Sequence, residues 1–308
     1  MILISEDVWG APFEQLSKRR AVHQDPELWN DAAKLKAEVA NAEVLVVRNR
    51  TQVTAEVIAA APKLKVIARA GVGLDNIDIK AADQAGVVVV AGLGANAVSV
   101  AELTLGLALA LRRQIALQDR QTKSGKWLRT PGNEISGSTW GLLGCGATGR
   151  ATAKLLSGFG CKILGYDPFF KGNSEIQMVE WDQLISQSDV ISVHMPATSE
   201  TIGSINKGVF AAMKSSAILV NVGRGELINE SDLIKALKDS QIAGAALDVR
   251  ASEPPTTGEL ESLDNVILTP HVAGITKESQ AAINQILVDN IDLVLDGKTA
   301  THAVGANK

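Results

Sequence analysis

The segment Trp140-Gly141-Leu142-Leu143-Gly144-Cys145-Gly146-Ala147-Thr148-Gly149-Arg150 sets the architecture. Trp140–Leu143 carries no charge and reads as a buried strand, and Arg150–Leu156 reads as a helix. Between them the glycines have G-x-G-x-x-G spacing. The first permits a tight turn, the second lets a pyrophosphate approach the backbone, and the third lets helix and strand pack closely. The helix N-terminus then faces the negative charge. A second strand, Cys161 to Tyr166, ends on Asp167, 18 residues beyond Gly149. That is the place of a ribose ligand: a carboxylate there accepts from the 2′-OH of NAD and repels the 2′-phosphate of NADP. The bland alternative is a tight βα turn with no ligand, and strand, helix and acid together argue against it.

The same kind of short apolar run recurs at Val44–Val47, Val66–Ala68, Val87–Val90, Val190–Val193, Ala217–Val220, Gly244–Leu247 and Val266–Leu268. Runs that are apolar throughout suit strands buried on both faces of a parallel sheet. Helical patterns lie between them, such as Ser231–Ser240 with Leu233, Ile234 and Leu237. The alternation predicts an α/β fold of doubly wound parallel sheets. A length of 308 residues suggests two domains. Val98–Arg113 is apolar on nearly all sides, the pattern of a helix buried in a core or an interface.

Composition narrows the class. Thirty basic against 34 acidic residues leave a net charge of -4, so no basic face for nucleic acid is expected. Two cysteines, Cys145 and Cys161, fit a reducing compartment, and no Cys/His pairing has zinc-ligand spacing, so no metal is expected. The start lacks a signal peptide's basic region, and Leu103–Leu111 is too short to span a membrane. A cytoplasmic protein is expected.

In an open parallel sheet, ligands bind beyond the carboxyl ends of the strands. Here each run of the second half is followed at once by a chemically able residue. Leu143 leads to the glycines, Tyr166 to Asp167 and Val193 to His194. Val220 leads to Asn221–Arg224, Leu247 to Asp248 and Leu268 to His271. Any one of these would pass as a cap or turn residue; their shared position raises the functional reading.

At these residues the sequence resembles the D-isomer-specific 2-hydroxyacid dehydrogenases. The resemblance rests on Arg69-Ala70-Gly71-Val72-Gly73-Leu74-Asp75-Asn76-Ile77-Asp78, on Val98-Ser99-Val100-Ala101-Glu102-Leu103-Thr104 and on the glycine motif. It rests also on Asn221-Val222-Gly223-Arg224-Gly225, on Ala246-Leu247-Asp248-Val249 with Glu253-Pro254, and on Thr269-Pro270-His271. It implies a Rossmann NAD-binding domain, residues 98–284, inserted in a discontinuous flavodoxin-like substrate domain, residues 1–97 and 285–308. Substrate would sit in a cleft closed by a hinge. The implied catalytic residues are Arg224, Glu253 and His271. The implied cofactor contacts are Gly144, Gly146, Ala147, Thr148, Gly149, Asp167, Met195, Val222, Gly223, Arg224, Asp248, His271 and Gly274. Asp248 would orient the carboxamide. Substrate contacts would be Arg48, Gly71, Val72, Gly73, Arg224 and His271. The helix from Val98 and the segment near Trp127 resemble the family's dimer contact, so a homodimer is expected.

The trio also makes sense chemically. Hydride movement at C2 of a hydroxy acid requires a proton to move at the C2 oxygen, which suits a histidine. A carboxylate beside it fixes the tautomer. Arginine's planar fork suits a substrate carboxylate, and the N–H groups of the 71–73 turn suit its other oxygen. Within the family, Val46-Val47-Arg48-Asn49-Arg50-Thr51-Gln52-Val53-Thr54 is most similar to phosphoglycerate dehydrogenases. Departures at Val90–Asn96, at Arg250 (where an aromatic residue is usual), after His271, and in the absence of a regulatory extension past Lys308 keep two alternatives open. These are a glyoxylate/hydroxypyruvate reductase and a sulfolactate-type dehydrogenase. An alternative of another class is an NADH-sensing scaffold resembling the C-terminal binding protein corepressors.

Overall fold

Apolar runs that alternate between two buried faces become parallel strands here. The computed structural model describes residues 1–8 and 10–307. The chain divides into two units, Met1–Asn96 with Ile275–Lys308, and Ala97–Gly274.

In the first unit the strands are β1 (Ile2–Ile4), β2 (Val22–Gln24), β3 (Val44–Val47), β4 (Val66–Arg69) and β5 (Val88–Ala91). They are parallel in the order β2-β1-β3-β4-β5, and a short antiparallel strand, Ala303–Val304, pairs with β5. This is the flavodoxin-like order. Leu3, Leu45, Val47, Ile67 and Val89 face one core, with Leu35, Val57 and Ala82. Ile2, Ile4, Val44, Val46, Val66 and Val90 face the other, with Phe13, Leu16, Ile283, Leu287 and Ile291. Both faces are covered, so the runs are apolar without alternation.

The second unit holds β6 (Thr139–Leu143), β7 (Lys162–Tyr166), β8 (Gln177–Met178), β9 (Val190–Val193), β10 (Ile218–Asn221), β11 (Gly244–Leu247) and β12 (Val266–Leu268). Their order is β8-β7-β6-β9-β10-β11-β12, all parallel. This is the doubly wound Rossmann order with one added strand, and its switch point lies between β6 and β9. The register sets the site. Leu143 lies opposite Tyr166 and Val193, Asn221 opposite Val193 and Leu247, and Leu247 opposite Leu268. Six strand ends therefore form one edge.

One boundary differs from the sequence reading, and one helix keeps an open side. The return to the first unit comes at Ile275, ahead of the expected residue 285, because helix Lys277–Leu295 packs on β4 and β5. Helix Ala97–Arg112 is buried at Val100, Ala101, Thr104, Leu107 and Ala108, yet Val98 (60% exposed), Glu102 and Gly106 form an open ridge at helical spacing.

Candidate active site

The glycine turn sits at the switch point. Gly144 has φ +96°, and a Cβ there would come within 2.9 Å of the backbone of His194 and Met195. A Cβ on Gly149 would lie 2.2 Å from the Gly144 carbonyl oxygen, so this position too admits only glycine. At Gly146 a Cβ would meet nothing within 4 Å. The space a pyrophosphate needs is therefore open at the second glycine, where a side chain would fill it. Gly146 caps helix Ala147–Leu156 without a side-chain hydrogen bond, leaving the first-turn N–H groups of Ala147 and Thr148 to an anion. The residues present thus fit a dinucleotide.

Asp167 follows β7. Its Oδ2 accepts from the Cys145 N–H at 2.8 Å, and its Oδ1 from the N–H groups of Phe169 (2.8 Å) and Phe170 (3.2 Å). Three donors fix the carboxylate, and its remaining lone-pair site is left for a hydroxyl. Burial, with this carboxylate behind it, pushes the Cys145 thiol up to about 12, so it stays protonated and is no nucleophile.

After β9, the His194 N–H donates to the Leu143 carbonyl at 2.7 Å, closing the switch point. Its Nε2 lies 3.0 Å from Ser192 Oγ, which accepts from Trp140 Nε1 at 2.8 Å. Burial lowers this imidazole to about 3, so it is neutral near pH 7. Met195 and Val222 are buried, and a Cβ on Gly223 would reach 2.8 Å from the Met195 carbonyl oxygen. The ends of β9 and β10 are therefore in contact.

Arg224 is held by its turn. Buried Asn221 donates to the Arg224 carbonyl at 2.9 Å and accepts from Gly223 N–H at 3.1 Å. The Arg224 side chain donates to the Gly223 carbonyl at 2.8 Å. Gly225 then packs on the next strand end, where a Cβ would sit 1.9 Å from the Arg250 carbonyl carbon.

Asp248 is 1% exposed. It accepts from Thr269 Oγ1 (2.6 Å) and from the N–H groups of Val272 and Ala273 (both 2.9 Å). The His271 N–H donates to its carbonyl at 2.8 Å. The residue read as a carboxamide ligand thus also braces the His271 turn. His271 itself has φ +54°, a left-handed conformation uncommon outside glycine and found at functional sites. Its Nδ1 lies 2.7 Å from Glu253 Oε2. A carboxylate only accepts, so Nδ1 carries the proton and Nε2 is left for a substrate. Gly274, also read as a cofactor contact, ends the same loop and the second unit.

Arg48, Gly71, Val72 and Gly73 lie in the first unit. The loop after β3 is held by Glu6, which sequence reasoning missed. Its buried carboxylate accepts from the N–H groups of Arg48 (2.8 Å), Arg50 (3.1 Å) and Thr51 (2.9 Å). The signal was an acid just past the end of β1. Arg48 Nη1 donates to the Asp7 carbonyl at 3.1 Å, and the Arg69 guanidinium occupies the space a Gly71 side chain would need.

Known proteins share this chain's sequence pattern and fold. Residues 105–273 match the family "D-isomer specific 2-hydroxyacid dehydrogenase, NAD binding domain". A D-3-phosphoglycerate dehydrogenase of Archaeoglobus fulgidus is 45% identical over 274 residues, 87% of this chain and 52% of that protein. The chain spans about half the length of the curated relatives it matches. A solved protein of Thermus thermophilus superposes with a TM-score of 0.91 at 31% identity, covering 98% of this chain and 99% of that one. An NADPH-dependent glyoxylate/hydroxypyruvate reductase of Sinorhizobium meliloti, solved with NADP and malonate, gives 0.89 at 27% identity, covering 99% and 97%.

Proposed function

The chain belongs to the D-isomer specific 2-hydroxyacid dehydrogenase family, with an NAD-binding domain, and on that premise we propose that it interconverts a small anionic D-2-hydroxy acid and its 2-keto acid. The observation that carries this reading is the 2.7 Å pair of His271 Nδ1 and Glu253 Oε2, on the sheet edge that also bears the glycine turn and Asp167. NAD, when bound, supplies or accepts the hydride at C2.

The side chains supply the rest. Glu253 accepts from Nδ1–H and turns Nε2 outward. In reduction, protonated His271 delivers a proton from Nε2 to the C2 oxygen; in oxidation, the neutral ring takes it back. Arg224 binds the substrate carboxylate through its planar fork and polarises the keto oxygen. Asp248 keeps the His271 turn in place. Within the first unit, Arg48 and the N–H groups of the 71–73 turn are proposed as anion-binding groups. In the cytoplasm, where the free thiols Cys145 and Cys161 suit the redox poise, this would be a metabolic dehydrogenase. Among the described residues no helix is long and apolar enough to cross a membrane.

We favour a phosphoglycerate-type substrate, on the strength of the Archaeoglobus relative. The Sinorhizobium neighbour supports a glyoxylate or hydroxypyruvate reductase as the second reading. The test is NADH oxidation against phosphohydroxypyruvate, hydroxypyruvate, glyoxylate and sulfopyruvate. Phosphohydroxypyruvate should give the highest kcat/KM, and a flat response to all four would refute the dehydrogenase reading.

Asp167→Ala should weaken NADH binding about tenfold, near 1.4 kcal/mol, and affect NADPH much less. The ratio of the two Kd values by fluorescence titration checks this. A wild-type preference for NADPH would contradict the role given to Asp167.

A homodimer is the proposed assembly. The ridge of helix Ala97–Arg112 and the exposed Ile115, Trp127 and Leu128 all lie in one unit and supply the apolar surface a partner copy would cover. Sedimentation should show dimers at micromolar concentration; monomers throughout that range would remove this proposal.

A further inference from the structure

We propose that Arg250 is a positioning residue for the Glu253–His271 pair, its guanidinium clamping Glu230 and Glu261 so that its own backbone N–H holds the Glu253 oxygen that His271 does not use. The inference rests on the reaction proposed above.

The geometry divides the Glu253 carboxylate between two donors. Oε2 meets His271 Nδ1 at 2.7 Å, and Oε1 accepts from the Arg250 N–H at 3.0 Å. That N–H is only as fixed as the residue bearing it. Glu253 lies in an exposed loop after β11 that has no regular structure until Leu260–Ser262. Arg250 supplies the anchorage. Its Nε and Nη2 form a bidentate fork on Glu230 at 2.9 and 3.0 Å, and its Nη1 reaches Glu261 at 2.8 Å. Glu230 opens helix Glu230–Lys238, and Glu261 lies in the single turn Leu260–Ser262. Glu230 also accepts from the Ala251 N–H at 3.0 Å.

The clamp is mostly dry. The Arg250 side chain is 10% exposed, and the carboxylates it bridges are 25% and 26% exposed. Bidentate charge-assisted bonds in such surroundings are stronger than surface pairs and geometrically specific. The guanidinium lowers the pKa of both Glu230 and Glu261, keeping them charged. Removing it would leave two carboxylates repelling each other beneath the loop. The Arg250 carbonyl also packs on Gly225, next to Arg224. A single residue thus meets the turn of the substrate-binding arginine and orients the carboxylate behind the proton donor.

The test is Arg250→Met, with Arg250→Lys as the conservative variant. In Arg250→Met, kcat/KM for keto-acid reduction should fall about 10- to 100-fold, the scale set by a displacement of about 1 Å in a catalytic group. The loss should be mainly in kcat, with the Kd for NADH within about twofold of wild type. In a Glu253→Gln background, Arg250→Met should add little. A readout independent of turnover is the 15N spectrum of neutral His271: the Nδ1–H tautomer should dominate in wild type and lose population in Arg250→Met. Lysine should restore part of each effect, because it keeps the charge but not the fork. If Arg250→Met does not fold, Arg250→Lys and Glu261→Gln should show smaller movements in the same direction.

An unchanged tautomer population in Arg250→Met would overturn the proposal, even with lowered thermal stability. Absence of any keto-acid turnover in wild type would instead sink the reaction reading, and the tautomer measurement would still judge the role of Arg250.

Discussion

His271→Asn is expected to lower kcat by about three orders of magnitude, within the span a positioned acid–base group supplies. NADH should bind as before. Asparagine is the informative replacement because it tolerates the left-handed backbone at φ +54° and leaves the turn intact. The three donors that hold Asp248 come from Thr269, Val272 and Ala273, and none comes from the His271 side chain. Loss of the imidazole therefore removes the proton carrier while keeping its support. Stopped-flow measurement of NADH oxidation and fluorescence titration of NADH separate the two effects. A comparable loss of cofactor affinity would move His271 from proton transfer to cofactor binding.

Arg224→Ala should lower kcat/KM about 10³-fold, with KM carrying a large share. Two interactions disappear together: the fork on the substrate carboxylate and the charge that polarises the keto oxygen. The turn should persist, because the Asn221 side chain bonds the Arg224 carbonyl and the Gly223 N–H, two backbone groups that the substitution keeps. Arg224→Lys should recover only part of the loss, since an ammonium is a point charge without the planar donor pair. Full recovery by lysine would mean that charge alone is used. An unchanged KM with a lowered kcat would place Arg224 at the transition state and not at the substrate carboxylate.

Much of this was readable from local sequence, for a physical reason. In a parallel sheet buried on both faces, strand ends announce themselves as apolar runs that stop at a polar residue. The register then aligns Leu143, Tyr166, Val193, Asn221, Leu247 and Leu268, so the residues just beyond them share one edge. The glycine turn was legible because each glycine answers to a distinct steric demand.

What sequence did not show was short or non-local. β2 reads Val22-His23-Gln24 and is partly exposed, so no apolar run marks it. β8 and the Ala303–Val304 strand have two residues each. Helix Ala97–Arg112 reads as apolar on nearly all sides because valine and glycine stand on its open ridge and Glu102 is the one charge there. The supporting bonds depend on residues far apart in the chain. Glu6 holds the N–H groups of a loop more than 40 residues later, and Arg250 reaches back 20 residues to Glu230. In the sequence Arg250 is a charged residue where an aromatic one is usual, and only the fold brings Glu230 and Glu261 to its guanidinium.

At the heart of the proposed mechanism, a hydride reaches C2 of a keto acid from one defined face, with the proton coming from the imidazole. The sharpest measurement uses NADH deuterated at C4 of the nicotinamide, offered with phosphohydroxypyruvate or hydroxypyruvate. The expected product is of D configuration only, with deuterium retained at C2 when the label is on one of the two prochiral positions and absent when it is on the other. An L or racemic product, or a C2 hydrogen drawn from water, would contradict this mechanism.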